Sequence, residues 1–335
     1  MKAADSILKE KRVFSGIQPS GDIHIGNYLG AIRQWVTAQQ GFECVFCIVD
    51  LHAITILQDP EKLKRSIREV ACLLFAAGID PQRTTLFVQS RVSAHAELAW
   101  ILNCCIPMGW MQRMTQFKDK SQRGKDSVSI GLFDYPGLMA ADILLFDTDL
   151  VPVGEDQAQH LELARDIAAR FNSIFGETLK LPEPLIPEVG ARIMALDDPH
   201  RKMSKSNARK NHALNLLDDA DTIRAKIARA ATDSHREIRF DKNRPGVFNL
   251  LVIYELFTGL RREEIEDRFS NRVYTELKKE LAEVIVENLR PVQNRYRQLL
   301  QDPSRIDMLL DKGAAKAQEM AVNKLCLVKE RIGLG

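Results

Sequence analysis

No apolar run in the sequence approaches the roughly 18–20 residues needed to cross a bilayer, so no membrane span is expected. Neither a GxGxxG turn nor a GxxxxGK loop followed by Ser or Thr occurs, which excludes the two commonest phosphate-binding fingerprints. Cysteines are few, six in 335 residues, and only Cys44 and Cys47 form a CxxC. No second CxxC exists to complete a zinc site. The pair sits in the apolar run from Cys44 to Val49, and in a strand positions three apart point to opposite faces. Core packing is therefore the expectation, and no metal site is expected. An excess of one charge sign is also missing: 47 Lys and Arg stand against 45 Asp and Glu, net +2. The distribution is uneven, however. Residues 201–335 carry 27 basic and 20 acidic residues, or +7, and residues 1–200 carry 20 and 25, or −5. A basic second half fits either a solvated helical surface or a polyanionic partner. The first twelve residues mix Lys2, Lys9, Lys11 and Arg12 with Asp5 and Glu10, so no secretory leader is expected and the cytoplasm is the expected location.

Apolar runs and turn residues alternate through the first two thirds. Val13–Ile17 reads as a strand stopped by Gln18-Pro19-Ser20-Gly21, with a helix from about Ile25 to Gln40. Val45–Val49 is a second strand, and Asp59-Pro60 opens a helix that ends at Gly78. Thr85–Val88 is a third strand, followed by a helix from Ala94. This β-α-β-α-β order predicts an α/β fold, a parallel sheet with crossover helices. Residues 107–131 break the pattern and read as a connector. Further expected elements are a helix over Tyr135–Phe146, a strand at Leu150–Val153, a helix from Gly154 to Phe171, a proline-rich loop over 176–188 and a last strand at Arg192–Leu196. After Leu217 no strand signal remains. Leu277, Leu281, Val284, Ile285 and Leu289 mark one apolar helix face, Pro245 starts another helix, and Pro291 is a potential kink. The domains expected are 1–217, α/β, and 218–335, all helical.

Two segments carry phosphate chemistry. His24-Ile25-Gly26-Asn27 opens the first helix beyond the first strand, where free N–H groups meet anions. Gly26 removes a side chain where a nucleotide could approach the backbone, and His24 and Asn27 can donate to phosphate oxygens. Lys202-Met203-Ser204-Lys205-Ser206 places two ammonium groups three residues apart in a polar loop. A third feature concerns selectivity. Tyr135, Met139 and Asp142 share one helix face, and Asp142 is embedded in the apolar run Leu138–Leu145. A buried carboxylate needs donors. It either pairs inside the protein, with an arginine or as a cap, or accepts from a ligand donor such as an indole N–H.

Taken together, the two phosphate segments resemble the HIGH and KMSKS signatures of the class I aminoacyl-tRNA synthetases. The resemblance extends over nearly the whole chain to the bacterial and organellar tryptophanyl-tRNA synthetases. It is carried by Phe14–Gly21, Ile48–Thr55, Met114–Lys120, Tyr135–Leu145, Val151–Gln157 and Gly190–Met194. It implies a Rossmann-like catalytic domain with a connector insertion, a helical anticodon-binding domain, and a homodimer that binds tRNA(Trp). The implied reaction joins ATP, carrying Mg2+, and L-tryptophan into tryptophanyl-adenylate, then transfers the tryptophanyl group to tRNA, releasing AMP and pyrophosphate. By the same resemblance Gln18, His24, Gly26 and Asn27 contact ATP, Gly154, Glu155 and Asp156 face the nucleoside, and Ile193 borders the adenine. Lys202 and Lys205, within the loop that continues through Met203, Ser204 and Ser206, hold the leaving pyrophosphate and are the catalytic residues. Lys118 and Lys120 of the connector reach toward phosphate. For tryptophan, Asp142 takes the indole nitrogen, Tyr135 and Gln157 lie near the ammonium, and Phe14, Val49 and His52 line the pocket, with Met139 on the shared helix face. Positioning and fixed positive charge supply the acceleration, so no general base is expected in the activation step.

The sequence departs from the family pattern in places. Asn27 replaces the last His of the first motif, as is usual in the tryptophanyl branch. Asn207-Ala208-Arg209-Lys210 follows Ser206, where relatives continue with Asp and Pro, and Trp110 follows Gly109, where relatives often carry an acid. Other readings consistent with the motifs are a tyrosine-specific enzyme of the same class, a non-catalytic regulator, and a small nucleotidyltransferase, which would not need the helical region after 218.

Overall fold

The computed structural model describes residues 11–19, 22–114, 129–153, 158–185, 192–204, 211–235 and 237–335. Strand β1 (Arg12–Ile17) leads into a helical stretch, α1, made of Ile25–Asn27, a π-helical segment Tyr28–Ile32 and Arg33–Ala38. Strand β2 (Glu43–Ile48) and helix α2 (Pro60–Ala77) follow. Local chemistry sets both ends of α2. Asp59 caps it by accepting from the Lys62 N–H at 2.7 Å, Pro60 starts it with a fixed φ, and Gly78 ends it at φ +116°, a conformation costly for any residue with a Cβ. Next come β3 (Thr84–Val88), α3 (Ala94–Asn103), α4 (Ile130–Leu144), β4 (Leu150–Pro152), α5 (Ala158–Phe175) and β5 (Glu183–Leu185).

All five strands are parallel, in the order β3-β2-β1-β4-β5. The order reverses between β1 and β4, so the crevice for ligands lies at the carboxyl ends of those strands. Both CxxC cysteines are buried in β2, and only Cys47 joins the core cluster with Phe14, Phe87 and Leu144, as the period of two requires. Burial pushes both thiols above their usual range.

Two expectations fail. The proline-rich stretch contains β5: Pro184 is accommodated because β5 has a single neighbour, β4, and a strand edge has no ladder bond for Pro to break. Arg192–Leu196 is not a sheet strand. Met194 makes only an isolated antiparallel bridge to Lys202, so this apolar run serves the loop that follows it instead of the sheet.

After Leu217 the described elements are helices: α6 (Ala220–Ala228), α7 (Pro245–Thr258), α8 (Arg262–Arg268), α9 (Tyr274–Leu300) and α10 (Pro303–Ile332). Helix α9 runs through Pro291, burying Leu277, Leu281, Ile285 and Leu289, with Val284 only half-buried. The chain does not divide at one cut after Leu217. One compact unit comprises the described residues of Met1–Ser20, Trp35–Glu188 and Asp302–Gly335; the other comprises those of Gly21–Gln34 and Val189–Gln301. The physical reason lies in α10, which packs on β3, α2 and α3. At Gly313 the helix backbone lies so close to β3 that a Cβ would fall 1.9 Å from the Leu86 carbonyl oxygen. Ala314, Ala317 and Ala321 are buried, and Lys324 anchors the far end by donating to Asp147 (2.6 Å) and the Thr178 carbonyl (3.0 Å). Helix α10 thus covers β3, an edge strand of the sheet.

Candidate active site

In the sheet-bearing unit, Phe14, Val49, His52, Tyr135, Met139 and Asp142 come from β1, from the carboxyl end of β2 and from α4. Phe14 stacks on Phe146 at 5.6 Å. Gly16 gives Val49 room, since a Cβ there would lie 2.9 Å from the valine Cγ1. His52, in the short helix Asp50–Ala53, meets the Tyr135 ring edge-on at 6.3 Å, and Met139 is half-buried against the core. Tyr135 shares a 2.9 Å hydrogen bond with His160, and burial pushes its phenol up to about 12, so it stays protonated at neutral pH.

Asp142 is 2% exposed, and no arginine among the described residues meets it. Its Oδ1 accepts from the Gln89 amide and from His95 Nδ1, each at 2.6 Å, and its Oδ2 accepts from His52 Nε2 at 2.8 Å. Burial alone would raise this carboxyl, but the His95 and His52 rings against it outweigh that and hold it at about 2. The group is an ionised acceptor at neutral pH. A carboxylate offers about four lone-pair positions, so one on Oδ2 stays available to a ligand N–H. Sequence reasoning missed Gln89, His95 and His160. The signal was present in two cases: Gln89 is the first polar residue past an apolar strand, and His95 lies in a mostly apolar helix. Asp50 ties the neighbouring loop ends together, accepting from the Ser90 N–H at 2.9 Å and the Ser90 hydroxyl at 2.5 Å. A cavity of about 270 Å³ is lined by Asp50, Lys64, Arg68, Ser90, Arg91 and Asp307, none of them among the expected site residues. Gln18 is exposed just beyond β1.

The second unit gathers the two phosphate motifs. The backbone of the first pairs with the segment just after the second: Leu216 N–H donates to the Ile23 carbonyl and Ile25 N–H to the Leu214 carbonyl, both at 2.9 Å, around an antiparallel bridge between His24 and Asn215. His24 Nδ1 accepts from the Asn27 N–H, and Asn27 Oδ1 accepts from the His24 N–H, each at 3.3 Å, so the turn closes on itself as a capping box. A Cβ on Gly26 would meet the His24 ring at 3.0 Å and Ile193 Cβ at 3.5 Å. The first motif therefore faces Ile193 closely enough that a Cβ on Gly26 would fill the space between them.

Lys202 is exposed, whereas Met203 is buried and its N–H donates to the Ile193 carbonyl at 3.1 Å. Ser204 faces His212 Nε2 at 3.5 Å, and His212 Nδ1 is held by Asp197 at 2.8 Å, a support that sequence reasoning missed. The buried amide of Asn249 on α7 grips Met194 at both polar atoms: Met194 N–H donates to Oδ1 at 2.9 Å, and Nδ2 donates to the Met194 carbonyl at 3.0 Å. Met194 in turn pairs with Lys202. Removing this grip with Asn249→Ala takes the partner from two half-buried backbone groups at the root of the lysine loop. The expected result is a roughly tenfold fall in the rate of the step that the Lys202 loop serves, with binding at the Asp142 pocket little changed; an unaltered rate would show that Asn249 does not set the loop. Gly154, Glu155, Asp156, Gln157, Lys205, Ser206, Lys118 and Lys120 lie outside the described residues, as does 207–210.

Comparison with known proteins bears on this arrangement. The family model described as tRNA synthetases class I (W and Y) matches residues 8–290. The chain belongs to that family. A tryptophan–tRNA ligase of Caldanaerobacter subterraneus is 57% identical over 325 residues, covering 97% of this chain and 98% of the relative. One from Helicobacter pylori is 55% identical over 327 residues, covering 98% of this chain and all of the relative. Among solved structures, the tryptophanyl-tRNA synthetase of Mycoplasma pneumoniae superposes with TM-score 0.90 at 37% identity, covering 97% of this chain and 98% of that one. The Campylobacter jejuni enzyme in complex with ADP and tryptophan gives TM-score 0.83 at 40% identity, covering 96% of this chain and all of that one. As a class I synthetase, the chain carries the sheet topology and the paired motifs in one molecule, and these relatives match it nearly end to end.

Proposed function

We propose that the pocket around Asp142 is the tryptophan site, and the surface formed by Gly26, Ile193 and the Lys202 loop the ATP site, of a tryptophan–tRNA ligase. The chain activates L-tryptophan with ATP and passes it to tRNA(Trp). In the first step the tryptophan carboxylate attacks the α-phosphorus, a carboxylate–phosphorus bond forms, and the bond to the β-phosphate oxygen breaks. Charge builds on the leaving pyrophosphate, where Lys202 and Lys205 neutralise it, and no proton need be removed by the protein. In the second step a hydroxyl of the terminal adenosine attacks the acyl carbonyl and AMP leaves. Phe14, Val49, His52, Tyr135 and Met139 surround the indole, and Gln157 completes the ammonium end. Gln18, His24, Asn27, Gly154, Glu155, Asp156, Met203, Ser204 and Ser206 complete the contacts to ATP, which enters as its magnesium complex.

The observation that carries this reading is the ionised, buried Asp142 with one acceptor position left, because indole N–H is a donor and phenylalanine has none there. The helical part, residues 218–335, is the proposed anticodon-reading region on the family resemblance and not on charge, because 201–210 carry five of the seven net positive charges of residues 201–335 and 218–335 only two. A homodimer is the proposed assembly, as the family resemblance implies. No helix among the described residues is long and apolar enough to cross a membrane. The proposed location is the cytoplasm, where tRNA, ATP and the free amino acid meet. The deciding experiment is pyrophosphate exchange into ATP with each amino acid in turn. Exchange is expected with tryptophan alone; exchange with tyrosine instead, or with no amino acid, would overturn the reading.

A further inference from the structure

The carboxylate of Asp142 would be a poor discriminator if it could rotate. An N–H is told from an isosteric group without one only when the acceptor is fixed in direction and desolvated. The structure shows what fixes it. Gln89, fully buried at the end of β3, donates its amide to Asp142 Oδ1 at 2.6 Å, while its own carbonyl oxygen accepts from the Leu51 N–H at 3.2 Å, a hydrogen that Asp50 Oδ1 also shares at 3.1 Å. Because the amide oxygen faces a donor, the NH2 must face the carboxylate, and the opposite orientation of the amide is excluded. Leu51 immediately precedes His52, the donor to Oδ2. One side chain therefore links the carboxylate on α4 to the turn that supplies its other partner.

His95 takes the remaining position on Oδ1 and is fully buried between the Phe87 and Phe146 rings, at 5.7 and 5.4 Å. Its Nε2 has no hydrogen-bond partner among the described residues, so Nδ1 is the ring's sole polar attachment there. With Gln89 and His95 on Oδ1, that oxygen is filled, and any ligand donor is directed to Oδ2.

We propose that Gln89 is the positioning residue for amino-acid specificity: by locking Asp142 Oδ1 it leaves one directed acceptor, on Oδ2, for the indole N–H. This rests on the tryptophan reading above. The test compares tryptophan with β-(3-benzothienyl)alanine, in which sulfur replaces the indole N–H at nearly constant shape, in pyrophosphate exchange by the full-length chain. Gln89→Met keeps the volume and removes both hydrogen bonds. The ratio of kcat/KM for tryptophan to that for the isostere is expected to fall about tenfold or more, through loss on tryptophan, with the KM for ATP unchanged. Should the Met variant not fold, Gln89→Asn keeps the amide but draws its NH2 back from Asp142 by one methylene, with the same expectation. An unchanged ratio, or an equal loss on both substrates, would overturn the role of Gln89. A wild-type chain that uses both substrates equally would instead overturn the assignment of Asp142 to the indole, and this proposal with it.

Discussion

Asp142→Asn is expected to lower kcat/KM for tryptophan by about a hundredfold or more in pyrophosphate exchange, while the KM for ATP stays within about twofold. The substitution keeps shape and changes hydrogen-bond capacity. Asp142 accepts from Gln89, His95 and His52 and has one position left. Asparagine has a single acceptor oxygen, and its NH2 must face at least one of those donors. If the oxygen stays with Gln89 and His95, the Oδ2 position becomes a donor aimed at His52 and at the indole N–H. Stability should fall as well, and the pH dependence identifies the cause. The folded carboxyl is held at about 2, below its usual 3.8, so it contributes about 2 kcal/mol above roughly pH 4, and loses it as pH falls through 2. The Asn variant should be less stable at neutral pH and show less of that acid-side loss. Equal losses of tryptophan and ATP use in the variant would mark Asp142 as structural only.

Gly313→Ala should be the most damaging single methyl in the sheet-bearing unit. Two effects oppose each other. Alanine favours a helix over glycine by about 1 kcal/mol. Against that, the new Cβ would lie 1.9 Å from the Leu86 oxygen and 2.8 Å from its carbon, backbone atoms that cannot rotate aside. Overpacking costs about 1–3 kcal/mol where side chains can adjust, and here they cannot, so a net loss of about 3 kcal/mol or more is expected. Gly109→Ala is the control, because nothing lies within 4 Å of where its methyl would stand and its helix Met108–Gln112 should tolerate the change. Chemical denaturation of both variants checks the difference. Equal stability of the two would show that α10 can lift from β3 at little cost.

Local chemistry was the legible part of the fold. Asp59, Pro60 and Gly78 punctuate α2 with neighbours a few residues away, and Pro245 starts α7 for the same reason. Strand β5 is not legible because Pro184 argues against a strand unless it is known to lie at an edge, and edge position is a property of the sheet order. The run 192–196 reads as a strand for the converse reason: Ile193, Ala195 and Leu196 are buried, but the backbone pairs with Lys202 and with the Asn249 amide, not with the sheet. The candidate site divides along the same line. Tyr135, Met139 and Asp142 share a helix face by spacing alone. The donors Gln89 and His95 lie 53 and 47 positions away from Asp142, and no local pattern shows that β3 and α3 carry them to it. An arginine was the partner that charge pairing suggested. The structure uses histidines and an amide, which orient the carboxylate as an arginine would and leave it an acceptor position.

The packing of α10 on β3 also fixes an order of events during synthesis. Strand β3 ends at Val88 and leaves the ribosome with its neighbour β2 already made, yet the helix that covers its outer edge begins only at Pro303. While the whole intervening stretch is translated, including helices α6 to α9, that edge lacks the cover that α10 gives it. The growing polypeptide therefore carries an open strand for most of its manufacture, and the sheet-bearing unit is completed only after the unit that lies between its parts has been made.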